Sequence, residues 1–478
     1  MLFNSFEFFL FLPLVFAVYW ACKRSLWLQN LLIVVASYVF YGWWDWRFLV
    51  LIAFTSLWSY VVGIVELHRW DSRPSKALVF SSLVVNLGIL GAFKYFNFFA
   101  AQFAEASALL GFHPDLPLVK IILPVGISFY TFQALSYTID VYRRQIRPTR
   151  DPFAFFAFIS FFPQLVAGPI ERATNLLPQF LKPREFSYPD AVVGCRQMLW
   201  GFFKKMVVAD SCAAVADKLL NASPQGNGLA VWLGVFMFTI QIYGDFSGYS
   251  DIAIGCSRLF GVKLMRNFAF PYFSRDIAEF WRRWHISLTT WFRDYLYIPL
   301  GGSRCGKWRC VRNTFAIFLV SGLWHGANWT FVLWGAFHAV LFLPLLLGKR
   351  NRRHLDIVAE DRALPTMRET GAMLFTFFLA MVGWALFRAQ SLGECASWLC
   401  GMFNPATFVS MGRLPHEIGA AIGATAFMFV AEWLNRREQF GFARLPSRKW
   451  LRWAIYYAMI VAIACLAPGS ETFVYFQF

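Results

Sequence analysis

Apolar residues along this chain fall into long runs, and short polar or basic connections separate them. Many of the runs approach the ~20 residues that an α-helix needs to cross the hydrocarbon core of a bilayer. We therefore predict an all-α, polytopic membrane protein with roughly eleven transmembrane helices plus re-entrant and interfacial helices. The runs cover residues 6–21, 26–43, 48–65, 77–96, 119–139, 192–220, 229–243, 252–262, 315–347, 373–387, 418–433 and 453–466.

Two of these runs are irregular. Residues 192–220 carry Lys204 and Lys205 inside otherwise apolar sequence. Residues 315–347 are too long for one straight crossing, because about 20 residues already span the bilayer core. We therefore expect partial or broken helices in both places.

A further apolar stretch at residues 153–170 contains Pro163, Gly168 and Pro169, and basic residues flank it on both sides. Broken backbone at membrane depth must be buried in protein or line a cavity. The pattern favours a re-entrant hairpin, and a kinked ordinary helix is the alternative.

The composition supports the same class of protein. Of the 478 residues, 58% are hydrophobic and only 15% are charged, which excludes an ordinary soluble globule. A formal net charge of +17 would indicate a nucleic-acid partner in a soluble chain. Here the Lys and Arg residues cluster in short connections, which positive-inside bias explains, so we expect membrane lipids and no nucleic acid as partners.

The basic clusters also predict a topology. No Lys or Arg precedes the first apolar run, whereas Lys23 and Arg24 follow it. The basic stretch at residues 444–452 precedes the last run. By the positive-inside rule, we expect both termini to face outward, away from the cytoplasm. We expect one integral-membrane domain over residues 1–478, without a cleavable signal peptide because no basic segment precedes the first run.

The first candidate for chemistry is His325, which lies in the middle of the run at residues 315–347. A titratable imidazole at membrane depth needs a polar partner or a water-lined cavity, and such residues usually mark a site. Trp324 and Asn328 stand beside it as candidate substrate-binding residues. The alternative is a histidine that only hydrogen-bonds between packed helices.

A second candidate segment covers residues 280–302 and contains His285, forty residues before His325. The segment contains Arg282, Arg283 and Arg293, which suit the phosphates of an anionic acyl donor. We expect the fold to bring the two histidines to one cavity. The alternative is an amphipathic helix at the cytoplasmic interface.

Asp245 and Asp251 lie in a polar stretch between the runs at residues 229–243 and 252–262. Buried carboxylates must be paired or hydrogen-bonded, so we assign them an orienting role at the substrate site. The nine cysteines show no zinc-ligand spacing, and we predict neither a metal site nor a disulfide. The chain has no P-loop, dinucleotide fingerprint or nucleophile-elbow serine.

Several of these segments together resemble the membrane-bound O-acyltransferase family, in its branch that acetylates exported polysaccharides such as alginate. The resemblance covers essentially the whole chain and weakens after Lys349. It implies a funnel through the membrane, with the family's invariant histidine at His325 and its second histidine at His285. It also implies a cytoplasmic acyl thioester as donor, expected to be acetyl-CoA, and no bound cofactor. The segments are residues 3–8, 36–41, 123–129, 245–251, 279–302 and 322–329.

The tail at residues 471–478 is aromatic and contains Tyr475. It is similar to the terminal motif of acyl-relay systems, which implies that Tyr475 receives the acetyl group and passes it to a periplasmic SGNH-type partner working with the polysaccharide-export machinery. The alternative for the tail is an interfacial anchor. For the whole chain, the alternatives are a transporter without covalent transfer and a non-catalytic scaffold. The sequence leaves open whether alginate, cellulose, peptidoglycan or another polymer is acetylated.

Overall fold

A computed structural model of the chain describes residues 1–112, 122–166, 168–222, 227–408 and 414–467. All regular secondary structure in these residues is helical, which confirms the all-α prediction. The α-helices are α1 Phe6–Ala21, α2 Leu26–Gly42, α3 Leu49–His68, α4 Lys76–Lys94, α5 Phe96–Leu109, α6 Ile127–Tyr142, α7 Pro152–Ser160, α8 Phe162–Leu165, α9 Ala173–Phe180, α10 Tyr188–Phe202, α11 Asp210–Ala222, α12 Gly228–Leu259, α13 Ile277–Arg283, α14 Ile286–Phe292, α15 Lys307–His325, α16 Trp329–Leu347, α17 Met367–Arg388, α18 Leu392–Phe403, α19 Ile418–Leu434 and α20 Lys449–Leu466. Short 3₁₀ turns occur at Trp46–Phe48, Pro271–Phe273 and Pro405–Thr407, and π-helical turns at Phe203–Ala209 and Arg293–Tyr297.

Six helices in the described part of the chain are long and apolar enough to cross a membrane. Shorter apolar helices accompany them, among them α1, α2 and α19. The protein is therefore a multi-pass membrane protein, whereas the count of eleven crossings stays a prediction. The six helices are Trp46–His68, Lys76–Lys94, Gly228–Leu259, Trp329–Leu347, Met367–Arg388 and Lys449–Leu466.

The contacts group the residues into two compact units. The first contains Met1–Ala191 and Cys256–Leu264, and the second contains Val192–Gly255 and the described residues from Met265 onward. Every candidate site residue that the structure describes lies in the second unit. The single domain over residues 1–478 and the central funnel stay predictions.

In the first unit, the stretch at residues 153–170 forms a broken helix, because α7 ends at Ser160 and α8 begins at Phe162. The amide N of Phe162 donates to Oγ of buried Ser37 at 3.0 Å, and Nε2 of Gln164 donates to Oε1 of buried Gln133 at 2.6 Å. Side chains thus bond polar groups at the break, as backbone at membrane depth requires. The re-entrant course of this segment stays a prediction.

In the second unit, α12 runs unbroken through the polar stretch at residues 245–251 and joins the runs at residues 229–243 and 252–262 in one helix. The helix stays intact because lysines of the preceding segment pair with Asp245 and Asp251. A paired carboxylate can be buried on a helix without breaking the backbone hydrogen bonds.

The lysines come from the π-helical turn Phe203–Ala209, which lies between α10 and α11 in the irregular run at residues 192–220. Such wide turns are frequent at functional sites. A Cβ added to Gly248 would lie 2.8 Å from the carbonyl O of Gly201, so the backbones of α12 and α10 touch there. This close approach brings the turn against the carboxylates of α12.

The long run at residues 315–347 forms two helices, which confirms that it is not one straight crossing. Helix α15 ends at His325 and α16 begins at Trp329, with the side chain of Asn328 accepting from the amide N of Thr330 at 3.0 Å as an N-cap. A Cβ on Gly322 would meet the carbonyl O of Phe331 at 2.2 Å, so the hairpin is tight beside the break.

Candidate active site

His325 is the last residue of α15 and is 5% exposed. Its imidazole meets the ring of Trp334 on α16 edge-on at 5.2 Å between centroids, and that of Phe387 on α17 also at 5.2 Å. Trp324 adds a third contact at 4.9 Å. Aromatic side chains of α15, α16 and α17 thus surround the imidazole. They can do so because the chain reverses direction after residue 325, between α15 and α16.

His285 lies at the break between α13 and α14, with φ of +44°, and is 1% exposed. Few non-glycine residues adopt this left-handed conformation, and in other proteins it concentrates at functional sites. Its ring meets that of Phe246 at 4.6 Å and that of Trp324 at 5.9 Å. Because Trp324 also contacts His325, both histidines contact the same indole.

Asn267, in the connection between α12 and α13, holds the turn that carries His285. Its side-chain Oδ1 lies 3.1 Å from Nδ1 of His285 and accepts from Oγ of Ser287 at 2.9 Å. Its main-chain O accepts from the amide N of Ile286 at 2.9 Å, and its Nδ2 donates to Oγ of Ser250 at 3.0 Å. One buried asparagine therefore joins α12 to the start of α14.

Burial lowers the pKa of His285 to about 3, because the surrounding aromatic rings cannot solvate an imidazolium. His285 stands in the break between α13 and α14, apart from the apolar spanning helices. The side chain is therefore neutral at physiological pH.

The three candidate arginines have partners within the second unit. Arg282 donates to the carbonyl O of His354 at 2.6 Å, and Arg283 donates to Oε1 of Glu279 at 2.8 Å. Arg293 bonds the carboxylate of the adjacent Asp294. The guanidinium groups of Arg282 and Arg283 thus help to hold the connection between α16 and α17, whereas Arg293 is exposed.

Asp245 and Asp251 lie on α12 in buried ion pairs. Nζ of Lys205 is 3.1 Å from Oδ1 of Asp245, and Nζ of Lys204 is 2.7 Å from Oδ2 of Asp251. Nε2 of Gln197 also donates to Asp251 at 2.8 Å. Lysines of the π-helical turn thus hold both carboxylates, and their orienting role at the substrate site stays a prediction.

A small polar cavity lies on the side of Asn267 that faces α12. Charged and polar side chains line it, namely Lys204, Ser247, Ser250, Asp251, Arg266, Asn267 and Glu432. Nη2 of Arg266 is buried and has no hydrogen-bond partner in the described part of the chain. Asn267 thus lines this cavity and also contacts the imidazole of His285.

The other residues predicted for the site do not share one location. Trp324 contacts both histidines, whereas the side chain of Asn328 caps α16 and donates from Nδ2 to the carbonyl O of Gln390 at 2.8 Å. Tyr475 and the tail at residues 471–478 lie outside the described residues. In the ranges that the structure describes, no group of three or more His, Cys, Asp or Glu side chains could hold a metal.

Sequence reasoning missed His338 on α16, which is fully buried. Its ring contacts those of Trp281 at 4.9 Å and Trp334 at 5.0 Å, and neither ring nitrogen has a hydrogen-bond partner within the described ranges. A second histidine in the run at residues 315–347 was the available signal. Asn267 gave no signal, because its contacts join residues far apart in the chain.

Comparison with known proteins places these features in a family. A family model described as MBOAT, membrane-bound O-acyltransferase family, matches residues 143–365, which include both catalytic candidates. The chain is 42% identical over 407 residues to a probable alginate O-acetylase AlgI of Pseudomonas putida, covering 84% of this chain and 80% of the relative. It is 34% identical over 433 residues to a peptidoglycan O-acetyltransferase of Helicobacter pylori, covering 84% and 80%.

A more distant relative is a teichoic acid D-alanyltransferase of Bacillus subtilis, 28% identical over 290 residues, which are 58% of this chain and 71% of the relative. The named relatives thus act on different polymers of the cell surface. With the helical architecture and the paired histidines, these similarities show that the chain is an acyltransferase and belongs to the membrane-bound O-acyltransferase family.

Proposed function

We propose that the protein moves an acetyl group from a cytoplasmic thioester, acetyl-CoA, across the inner membrane for O-acetylation of an exported polysaccharide. The observation that carries the proposal is the meeting of His285 and His325, forty residues apart, at one indole in a buried aromatic site. The names of the alginate and peptidoglycan O-acetyltransferase relatives support a polysaccharide as the final acceptor.

In the proposed reaction, His325 takes the proton of the attacking hydroxyl. The C–O bond of the ester forms as the C–S bond of the thioester breaks, and the proton ends on the leaving sulfur. A neutral imidazole has a lone pair that can accept this proton, and such a transfer typically contributes about 10² to 10⁴ in rate. The buried position of His325 excludes bulk water from competing with the hydroxyl.

The donor phosphates are proposed to lie near Arg282, Arg283 and Arg293. Arg293 is the most accessible of the three, with a side chain 56% exposed. Guanidinium groups suit phosphate because they form two parallel hydrogen bonds to it.

On the outer side, the proposed first acceptor is Tyr475, which passes the acetyl group to a periplasmic SGNH-type partner. The positive-inside pattern supports this role, because it predicts a periplasmic C-terminus. A phenol needs a base to become a useful nucleophile, and His325 is the proposed base.

The first test uses His325→Ala in purified protein reconstituted with labelled acetyl-CoA. We expect acetyl transfer to fall by about 10² to 10⁴, because the hydroxyl loses its base. His416→Ala is the matched control, since His416 is 89% exposed and should leave transfer unchanged. Normal transfer by the His325 variant would remove the catalytic assignment. Net flux of donor or glycan without covalent transfer, in the unaltered protein, would favour the transporter alternative.

A second test concerns Tyr475. We expect mass spectrometry to find an acetyl group on the C-terminal peptide during turnover, and Tyr475→Phe to abolish both this mark and polysaccharide acetylation. An unmarked peptide together with a fully active Phe variant would leave Tyr475 as an interfacial anchor.

A further inference from the structure

The orientation of the Asn267 side-chain amide is fixed by a group that can only donate. The backbone amide N of Ser287 lies 3.3 Å from Oδ1 of Asn267, and a backbone N–H needs an acceptor. The other end of the amide, Nδ2, meets Oγ of Ser250 at 3.0 Å. The oxygen of Asn267 therefore faces His285, and the NH₂ group faces α12.

This orientation determines the tautomer of His285. Oδ1 of Asn267 is only an acceptor, and it lies 3.1 Å from Nδ1 of His285. The hydroxyl of Ser287, 3.4 Å from the same nitrogen, donates its one proton to Oδ1 of Asn267 at 2.9 Å, so Nδ1 carries the proton. A neutral imidazole has one N–H and one lone pair, and the hydrogen bond made by one nitrogen fixes the state of the other. Nε2 of His285 therefore carries the lone pair.

Nε2 is buried and has no hydrogen-bond partner within the described residues. The rings of Phe246, Phe268 and Trp324 surround the imidazole. An unpaired acceptor in an apolar site costs free energy unless a ligand supplies a donor. Binding sites use a few polar atoms in an otherwise apolar lining to fix the orientation of a ligand.

We propose that Asn267 is a positioning residue, and that Nε2 of His285 accepts a hydrogen bond from a neutral N–H or O–H group of the acyl thioester. The inference rests on the proposed function, because the ligand is the donor of that reaction. It assigns different tasks to the two histidines, since His285 orients the donor while His325 handles the proton.

Substitutions of His285 distinguish a role in accepting a hydrogen bond from a role in transferring a proton. Glutamine supplies a neutral amide oxygen, so His285→Gln should keep kcat near that of the unaltered protein and keep KM for acetyl-CoA below that of His285→Ala. We expect His285→Ala to raise this KM by about five- to tenfold, the factor that one neutral hydrogen bond is worth. Equal loss of kcat in both variants would overturn the assignment, because neither side chain can transfer a proton.

Asn267→Asp tests the positioning role through the pH profile. A carboxylate still accepts from Nδ1–H, but its charge raises the pKa of His285. Protonation of Nε2 then removes the acceptor as the pH falls, so the acid limb of kcat/KM should move to higher pH than in the unaltered protein. Other titratable groups lie nearby. Lys204, Asp251, Arg266 and Glu432 line the cavity beside Asn267, and His325 contacts Trp324.

Ser250→Ala is the matched control, because it removes the partner of Nδ2 and leaves Oδ1 on His285. It should leave the pH profile unchanged. An Asn267→Asp variant that folds, transfers acetyl and has the profile of the unaltered protein would overturn the positioning role alone. Absence of acetyl transfer in the unaltered protein would instead overturn the proposed function.

Discussion

Aromatic rings contact all three buried histidines, and no carboxylate contacts the ring of His285 in the described residues. At the residue scale, the polar side chains therefore occupy two environments. The imidazoles lie against aromatic rings, whereas the carboxylates of Asp245 and Asp251 pair with lysines. A neutral imidazole is the state that an apolar wall favours.

Gly383 of α17 gives a residue-scale test of the packing around His338. A Cβ at this position would lie 2.7 Å from Nε2 of His338. Gly383→Ala should therefore lower the free energy of unfolding by about 1–3 kcal/mol through overpacking. Denaturation of the purified protein in detergent measures it.

Gly371 supplies the control on the same helix, because a Cβ there meets nothing within 4 Å. Gly371→Ala should be neutral or stabilise by up to about 1 kcal/mol, as alanine favours helix. Equal effects at Gly383 and Gly371 would contradict the packing of His338 against α17.

At the residue scale, the sequence alone singled out His325, because a polar group in an apolar run stands out, but it missed His338 in the same run. It did not predict Asn267, which lies in a connection of mixed composition. The importance of Asn267 comes from bonds to Ser250 and to the turn at residues 285–287, and only the folded chain brings these together. Tertiary contact, not local pattern, defines that residue.

At the element scale, irregular backbone carries the candidate chemistry. His285 lies at the break between α13 and α14, and His325 is the last residue of α15. Lys204 and Lys205 lie in a π-helical turn. Run length correctly predicted that residues 315–347 do not form one straight helix, and the structure puts the break after His325. The polar stretch at residues 245–251 stays helical within α12, because ion pairing offsets the charge within the helix.

The π-helical turn supports an element-scale prediction. Lys205, 1% exposed, neutralises the buried carboxylates of Asp210 and Asp245 together. Lys205→Met should lower the free energy of unfolding by about 3–5 kcal/mol, because it removes the cation between two buried anions. Chemical denaturation in mixed micelles measures the loss.

The control is Lys218→Ala, which removes an ion pair to Glu417 whose lysine is 51% exposed. That change should cost less than about 1 kcal/mol. A similar small loss for Lys205→Met would mean that the turn does not depend on the charge.

At the scale of the whole molecule, composition and run length were sufficient to predict a multi-pass, all-helical protein, because the bilayer sets the length of a spanning helix. The family followed from motifs spread over the chain, and 42% identity to a relative across most of both chains confirms it. The membrane orientation, the tail at residues 471–478 and its periplasmic partner depend on the surroundings of the protein, and these parts of the account stay predictions.

Trp324 lies against both imidazoles, 5.9 Å from His285 and 4.9 Å from His325 between ring centroids. A small molecule that contacts either imidazole can therefore reach the indole as well. For inhibitor design this makes Trp324 a shared contact for two neighbouring polar groups. Compounds directed at His285 and at His325 should compete where both extend onto the indole, and a linked inhibitor can follow this side chain from one imidazole to the other.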